Sequence, residues 1–351
     1  GMMGEYAEAK SLFEQAVASS RKALGAEHPD TAASINNLGG LLEDMGDYTG
    51  AKRNYEQALA VARKVFGNEH INTASAINNL SVISQKLEDY PSALKFSLES
   101  LAIRKKVLGP KAPEVALSLD NLSVIYAELN QFSNAKSSGQ QAVDLFRETL
   151  GNEHPETATA ITNFGGLLKS MGDTAAARSL FEEALQIRKN VLGMEHPSTA
   201  ASLDQLAALL DQSGDFQAAR PLYEQSLAIR RKALGDEHPI TAESWIHVGH
   251  FLETIGDHSA AQSHFERALA ANQKAFGPDH TAIADTLDSL ARVLHDRGVM
   301  DRAKALYQQA LSIRIKAFGP EHMAVSSAYN NLGLLQGDIG EYQEALENLQ
   351  K

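Results

Sequence analysis

The 351-residue chain contains no cysteine and a single tryptophan, and basic residues are in the minority. The lack of cysteine excludes disulfides and thiolate zinc sites, and it is compatible with the cytoplasmic location that we expect. No run of apolar residues approaches the roughly 18 that a membrane helix needs, so no membrane partner is expected. With 44 acidic against 32 basic residues, the formal net charge of −12 also argues against nucleic acid as a partner.

Sequence motifs of enzymes are missing as well. The chain has no glycine-rich loop between a strand and a helix, no His-Glu-x-x-His and no nucleophile elbow. Gly39-Gly40 and Gly165-Gly166 lie within helical patterns, and we interpret them as packing residues. The sequence therefore predicts a protein that is not an enzyme, with no catalytic residues, no cofactor and no metal site.

What the sequence does have is a strict internal repeat. Eight glycines, each preceded by Leu or Phe, lie 42 residues apart without an insertion or deletion: Gly25, Gly67, Gly109, Gly151, Gly193, Gly235, Gly277 and Gly319. Such a period indicates one supersecondary unit stacked on copies of itself. We predict a single repeat domain over residues 1–351, with about eight 42-residue helix-turn-helix units and partial helices at both ends. Because Gly1 precedes Met2 and Lys351 falls within a predicted helix, we expect a fragment of a longer polypeptide.

Each repeat contains two helical patterns. In residues 30–67 the apolar positions of a first helix are Ile35, Leu38, Leu41 and Leu42, all on one face. Gly46-Asp47 ends it, and a second helix runs to about Phe66, where Gly67 is predicted to take the left-handed C-cap position. The second helix has alanine at one position in all nine copies: Ala9, Ala51, Ala93, Ala135, Ala177, Ala219, Ala261, Ala303 and Ala345. Small residues at such positions let paired helices approach closely.

This arrangement resembles the tetratricopeptide repeat, in its 42-residue form found in kinesin light chains and related bacterial proteins. Leu38-Gly39, Leu42, Gly46-Asp47-Tyr48 and Ala51 match its signature positions, and the Asn-Asn-Leu of residues 36–38 and 78–80 adds to the likeness. The resemblance implies an all-α, right-handed superhelical solenoid of antiparallel helix pairs. It also implies a concave wall lined by the first helices, and a scaffold that binds proteins.

The resemblance places a peptide-binding groove at the residues beside the signature leucine of each first helix. The predicted groove residues are Asn36, Asn37, Asn78, Asn79, Asn121, Asn163, Gln205, His247, Asn330 and Asn331. A carboxamide both donates and accepts hydrogen bonds, so it can bind the backbone of an extended peptide whatever its side chains. The alternative interpretation is that these amides bond the neighbouring helix and fix the angle between repeats.

The other predicted wall positions are mostly acidic: Glu43, Asp44, Asp120, Glu128, Asp204, Asp211, Glu253, Asp288, Asp296 and Asp338. The only basic ones are Lys86, Lys169 and Arg292. We therefore expect the protein or peptide ligand to be a neutral or basic segment, because a negative groove attracts positive charge. A solvated acidic face without a ligand is the alternative.

Seven histidines occupy the same slot just before a first helix, and we assign them a structural role as caps or loop contacts. His247, His250 and His295 differ because they fall on the predicted wall near carboxylates, but histidines on an exposed helix are more often solvated than metal-bound. Trp245 occupies a slot held elsewhere by Ile or Leu and is predicted to be core.

Residues 88–140 break the pattern. Leu87-Glu88-Asp89 and Leu129-Asn130-Gln131 replace the Gly-Asp turn, Lys111-Ala112-Pro113 replaces Glu-His-Pro, and an aromatic slot becomes Ser97 and Gly139. We expect either a local weak point, such as a hinge or a pocket, or compensation by Phe96 or Phe146.

The function predicted from the sequence is a non-catalytic scaffold that holds an extended peptide segment of a partner. One alternative is the sensor or regulatory arm of a larger multidomain signalling protein. Another is a self-associating array. We expect the protein to be either a monomer or weakly self-associated end to end.

Overall fold

The computed structural model describes the backbone of residues 2–350 and the side chains of residues 8–350. Gly1 and Lys351, which suggested a cut at either end, lie outside the described residues. By its internal contacts the chain divides into two compact units, residues 2–191 and the residues from 192 onward. The expectation that all repeats form one continuous domain stays a prediction.

All regular structure in residues 2–350 is helical. The helices up to residue 192 are α1 (Met2–Leu24), α2 (Pro29–Asp44), α3 (Tyr48–Phe66), α4 (Ile71–Lys86), α5 (Tyr90–Leu108), α6 (Pro113–Glu128), α7 (Phe132–Leu150), α8 (Pro155–Ser170) and α9 (Thr174–Leu192). Those that follow are α10 (Pro197–Gln212), α11 (Phe216–Leu234), α12 (Pro239–Thr254), α13 (His258–Phe276), α14 (Thr281–Asp296), α15 (Met300–Phe318), α16 (Met323–Asp338) and α17 (Tyr342–Leu349).

First and second helices pair sequentially, as α2 does with α3 and α12 with α13. Even-numbered helices are the predicted first helices, and odd-numbered ones are the second helices. This confirms the prediction of an all-α repeat array. Among residues 2–350, no helix is long and apolar enough to cross a membrane.

The recurring histidines cap the first helices, as predicted. In seven repeats the imidazole Nδ1 accepts a hydrogen bond from the backbone N–H two residues further on, at 3.1–3.2 Å: His28, His70, His154, His196, His238, His280 and His322. The bond satisfies one of the donors that a helix N-terminus leaves unpaired. At α6 the slot holds Ala112, which forms no side-chain cap.

The glycine that ends each second helix has a more unusual backbone than the sequence predicted. Its positive φ is confirmed, but Gly67 has φ 84° and ψ 175°, so it is not in the left-handed helical conformation that was expected. Gly151 and Gly277 have nearly the same dihedral angles. Only glycine readily adopts this region, which explains why the position is glycine in all eight repeats.

The turn between first and second helices tolerates other residues. Six copies have glycine with a φ of 77–84°, whereas Glu88 has φ 58° and Asn130 has φ 57°. These two φ values belong to the left-handed helical region. For a residue with a Cβ, the steric energy of this region is lower than that of the conformation of Gly67. The departures from the pattern at residues 88 and 130 are therefore accommodated without a change of turn.

The missing aromatic of the third repeat is compensated by a neighbour. A Cβ at Gly139 would lie 2.7 Å from Phe164 Cδ2 and 2.9 Å from Ser123 Oγ, so both side chains occupy the space beside it. Phe164 belongs to the following repeat, where the other repeats have Leu or Val. The predicted pocket at this glycine is filled, and Phe164, not Phe96 or Phe146, fills it.

Lys111 is explained by a charge swap. Lys64, Lys106, Lys232 and Lys274 near the ends of second helices pair with Glu27, Glu69, Glu195 and Glu237 of the preceding loops. In the third repeat the loop has Lys111 and the helix has Glu148, and these two pair instead. The ion pair thus persists with its charges exchanged.

We predict that Glu88→Gly raises the free energy of unfolding by about 0.5–1 kcal/mol, because glycine has no Cβ to oppose a positive φ. Asn130→Gly should raise the free energy of unfolding by less, since Asn tolerates a positive φ better than Glu does. Urea unfolding followed by circular dichroism measures both. Lys86→Gly, two residues earlier in α4, is the matched control and should lower the free energy of unfolding by about 1 kcal/mol. Equal changes in this free energy for Glu88→Gly and Lys86→Gly would contradict the prediction.

Candidate peptide-binding site

The predicted groove residues all lie on first helices, at two consecutive positions before the signature leucine. In residues 2–191 they are Asn36 and Asn37 on α2, Asn78 and Asn79 on α4, Asn121 on α6 and Asn163 on α8. In the second unit they are Gln205 on α10, His247 on α12, and Asn330 and Asn331 on α16. Asn37, Asn163, Gln205, His247 and Asn330 are exposed, and the other five are half-buried.

Part of this set forms a ladder between successive first helices. Asn79 donates from Nδ2 to Asn36 Oδ1, and Asn163 donates from Nδ2 to Asp120 Oδ2, each at 2.7 Å. His247 Nδ1 lies 3.6 Å from Asp204 Oδ2 in the same register. In all three cases, the residue just before the signature apolar position of one first helix contacts the residue two before that position in the previous first helix. This is the structural role that the sequence left open.

Other members of the set take no part in the ladder. Within the described residues, Asn37 and Asn121 make no side-chain hydrogen bond, although each occupies the same slot as Asn79 and Asn163. Asn37 is exposed and Asn121 half-buried. Ladder amides and unbonded amides therefore alternate along α2, α4, α6 and α8.

Several of the acidic wall positions are internally neutralised. Arg230 Nη1 lies 2.7 Å from Asp204 Oδ2, and both side chains are more than nine-tenths buried. Arg314 forms ion pairs with Asp288 at 2.5 Å and with Asp285 at 2.7 Å. The carboxylates that line a potential site are thus fewer than the sequence suggested.

These arginines belong to a slot that the sequence analysis missed, here called the arginine slot. It is a position of the second helix, again with a 42-residue spacing: Ala62, Arg104, Phe146, Arg188, Arg230, Asn272 and Arg314. The polar members bond residues of first helices, as Arg104 does by donating to Ser118 Oγ at 2.6 Å and to the Glu114 carbonyl at 3.3 Å. The repetition of arginine at one register was the signal available in the sequence.

Asp120 is the buried carboxylate for which this slot supplies no cation. It is 7% exposed, and the slot residue of its own repeat is Phe146. Burial raises the pKa of Asp120 to about 6, although the hydrogen bond from Asn163 lowers it and Glu156 nearby raises it slightly. The side chain is therefore protonated in the folded protein at mildly acidic pH and charged above it.

The histidines on the predicted wall contact separate carboxylates. His247 lies beside Asp204, His250 Nδ1 is 3.4 Å from Glu253, and His295 Nε2 is 2.9 Å from Asp338. Among the described side chains, no group of three or more His, Asp or Glu is placed to hold a metal ion. Trp245 is core as predicted, at 3% exposure, and the Arg231 and Arg267 guanidinium groups lie about 5 Å from its ring centroid.

One pocket brings three of the predicted residues together. Its walls are α2 and α4, its floor is α3, and it encloses about 380 Å³, within the usual range of ligand pockets. Asn36, Asn37 and Asn79 line it, and Ala62 of the arginine slot lies among its lining residues. We call it the Ala62 pocket.

The chain belongs to the tetratricopeptide repeat family, whose pattern matches overlapping segments that together span residues 2–351: 2–64, 33–106, 72–148, 134–190, 156–232, 200–274, 240–314 and 283–351. Repeats of this family typically serve as protein-interaction scaffolds and generally bind proteins or peptides. No curated protein matches the chain.

Solved structures similar to this chain include two of the kinesin-light-chain type. BtubC (BKLC) from P. vanneervenii is 22% identical with a TM-score of 0.55, over 67% of this chain and 93% of that one. A kinesin light chain candidate from Podosopora anserina with nearly identical TPR-like repeats is 27% identical with a TM-score of 0.51, over 59% and 98%. Aspartyl phosphate phosphatase F from Bacillus subtilis is 15% identical with a TM-score of 0.59, over 87% and 74%.

We predict that Asp120→Asn makes the protein more stable than the wild type at neutral pH, by about 1–3 kcal/mol. A carboxyl whose pKa is raised on folding contributes stability at low pH and loses it as pH rises through the folded pKa. The gap between variant and wild type should therefore open between about pH 4 and pH 6 and then stay constant.

Urea unfolding midpoints at pH 4, 5, 6, 7 and 8 measure this gap. Asp44→Asn, which removes an exposed carboxylate from α2, is the control for the loss of one negative charge. A stability difference that is already complete at pH 4, or one that closes toward pH 7, would contradict the interpretation of Asp120 as a buried carboxylate without a cation.

Proposed function

We propose that the protein is a non-catalytic interaction scaffold that binds an extended peptide segment along the first helices of residues 2–191. The observation that carries the proposal is the pair of unbonded carboxamides, Asn37 on α2 and Asn121 on α6. Both lie at the slot that in α4 and α8 is used for helix-to-helix hydrogen bonds. An amide that is not needed within the protein has both its donor and its acceptor available to a ligand.

The spacing of the first helices suits an extended ligand. Packed helices lie roughly 10 Å apart, and an extended chain advances about 3.3 Å per residue. Asn37, Asn79, Asn121 and Asn163 would then meet about every third residue of a peptide. Contacts to a peptide backbone at this spacing give affinity with little dependence on its sequence.

The ligand that fits best is neutral or basic. Arg230 and Arg314 neutralise Asp204 and Asp288 in the second unit, but in residues 2–191 Glu43 and Asp44 at the end of α2 remain free of an ion pair among the described residues. Asp30 at the start of the same helix is exposed. A basic segment that lies across α2 would therefore meet carboxylates at both ends of the helix.

We expect the double variant Asn37→Ala/Asn121→Ala to lose partner binding and to keep the wild-type unfolding midpoint, because neither amide forms a hydrogen bond to another described residue. Cell lysate is passed over immobilised wild type and variant, and the retained proteins are identified by mass spectrometry. Binding of a retained protein to each variant is then measured by isothermal titration calorimetry.

The matched control is Asn79→Ala/Asn163→Ala, which removes two amides of the ladder from the same slot. It should lower the free energy of unfolding by about 1 kcal/mol for each lost hydrogen bond. If wild type and Asn37→Ala/Asn121→Ala retain the same proteins with equal affinity, this face is not the binding site.

A further inference from the structure

The Ala62 pocket exists because one repeat lacks the side chain that fills the same space in the others. At the arginine slot the six later residues are Arg104, Phe146, Arg188, Arg230, Asn272 and Arg314. Arg104, Phe146, Arg230 and Arg314 are at most 8% exposed, so these long side chains are inserted and do not extend into solvent. Ala62 ends at Cβ, and the space between α2 and α4 above it is open.

The polar lining of the pocket is made of hydrogen-bond acceptors and carboxamides. Asn36 and Asn37 lie on α2, Asn72 and Asn79 lie on α4, and Asp30 at the start of α2 adds a carboxylate. No Lys or Arg is among its described lining residues. The pocket can therefore accept several hydrogen bonds from one cationic group.

Apart from Ser75, the remaining lining of the pocket is apolar. Ala32, Ala58, Ala62 and Ala76 are almost fully buried, and Phe66 is half-buried with its ring 4.8 Å from that of His70. A guanidinium group combines five donors with weakly hydrated faces that lie well against apolar and aromatic surface, whereas an ammonium group is compact and strongly hydrated.

The protein itself shows that this space accommodates arginine. Four of the six later slot residues are Arg, and their guanidinium groups contact the positions equivalent to those of the pocket. Arg104 bonds Ser118 and the Glu114 carbonyl, which correspond to Ala76 and Asn72, and Arg314 pairs with Asp288, which corresponds to Asn36. An arginine from a ligand would restore in trans the contact that this repeat lacks.

We propose that the Ala62 pocket binds the guanidinium group of an arginine side chain in the partner segment. This proposal rests on the proposed function, of which it names one specificity determinant: a basic segment with an arginine positioned over α3 between α2 and α4.

The test uses Nα-acetyl-L-arginine methylamide as the probe, with the lysine and phenylalanine analogues for comparison. Titration is followed by the side-chain amide resonances of the asparagines in ¹H–¹⁵N NMR spectra of the full chain. The arginine probe should shift the resonances of Asn36, Asn37, Asn72 and Asn79, with a dissociation constant about tenfold lower than that of the lysine probe. Equal or tighter binding of the lysine or phenylalanine probe would overturn the assignment.

Ala62→Arg fills the pocket with the residue that four other repeats carry, so it should fold and no longer bind the arginine probe. Ala60→Arg adds the same charge to an exposed position of α3 and should bind the probe like the wild type. Asp30→Asn, which adds no bulk, should weaken arginine binding several-fold, so the outcome does not depend on the folding of Ala62→Arg. Unchanged probe binding by Ala62→Arg, with a wild-type circular dichroism spectrum, would overturn the proposal.

The probe titration needs no partner protein, so the two proposals can fail separately. If the arginine probe does not bind while Asn37→Ala/Asn121→Ala still loses its partner, the scaffold function stands and the pocket assignment falls. If the probe binds but the asparagine variant retains every partner, the pocket is an arginine site outside a peptide groove, and the proposal that it anchors a partner segment falls.

Discussion

The rest of the architecture depends on the backbone conformation of one glycine per repeat. With φ near 85° and ψ near 170°, as at Gly67 and Gly235, the chain leaves each second helix in a direction that a residue with a Cβ does not readily take. The same loop then places His Nδ1 on the N-terminus of the next first helix. Because this geometry recurs without insertion, every first helix starts at the same register, and contacts 42 or 43 residues apart can recur as ladders.

Within that frame, the interhelical polar contacts differ from repeat to repeat more than the apolar core does. Asp120, Asp204 and Asp288 share one position, but they meet Asn163, Arg230 with His247, and Arg314 respectively. A buried carboxylate needs a hydrogen-bond donor or a cation beside it. In each of these three repeats this partner comes from the arginine slot, from the ladder, or from both. Where Phe146 occupies the slot, the slot supplies no cation to Asp120, whose pKa is raised by burial. Where Ala62 occupies it, a pocket is open. Variation at one slot thus converts a structural contact into a potential recognition site.

Two departures from the repeat pattern in residues 88–140 are matched by changes at residues that are adjacent in space. Loss of an aromatic at Gly139 is matched by Phe164 in place of leucine or valine in the next repeat, and Lys111 is matched by Glu148. Both pairs are distant in sequence and adjacent in space, which is why scanning one repeat at a time suggested a defect. Small and large residues pack closely elsewhere too: a Cβ at Gly39 would lie 2.7 Å from the Tyr55 ring.

The repeat period, the all-helical pairing, the histidine caps and the core position of Trp245 follow from the order of the residues alone, because these features depend on local propensity and on periodicity along the chain. The sequence also identified the first-helix asparagines as a distinctive set. Which of them bond a neighbouring helix depends on the packing of the helices, since Asn37 and Asn79 occupy the same slot and differ only in what faces them. The same holds for the ion pairs of Arg230 and Arg314 and for the pocket above Ala62. Such features arise where side chains from three helices meet, and a pattern read along one helix does not contain that information.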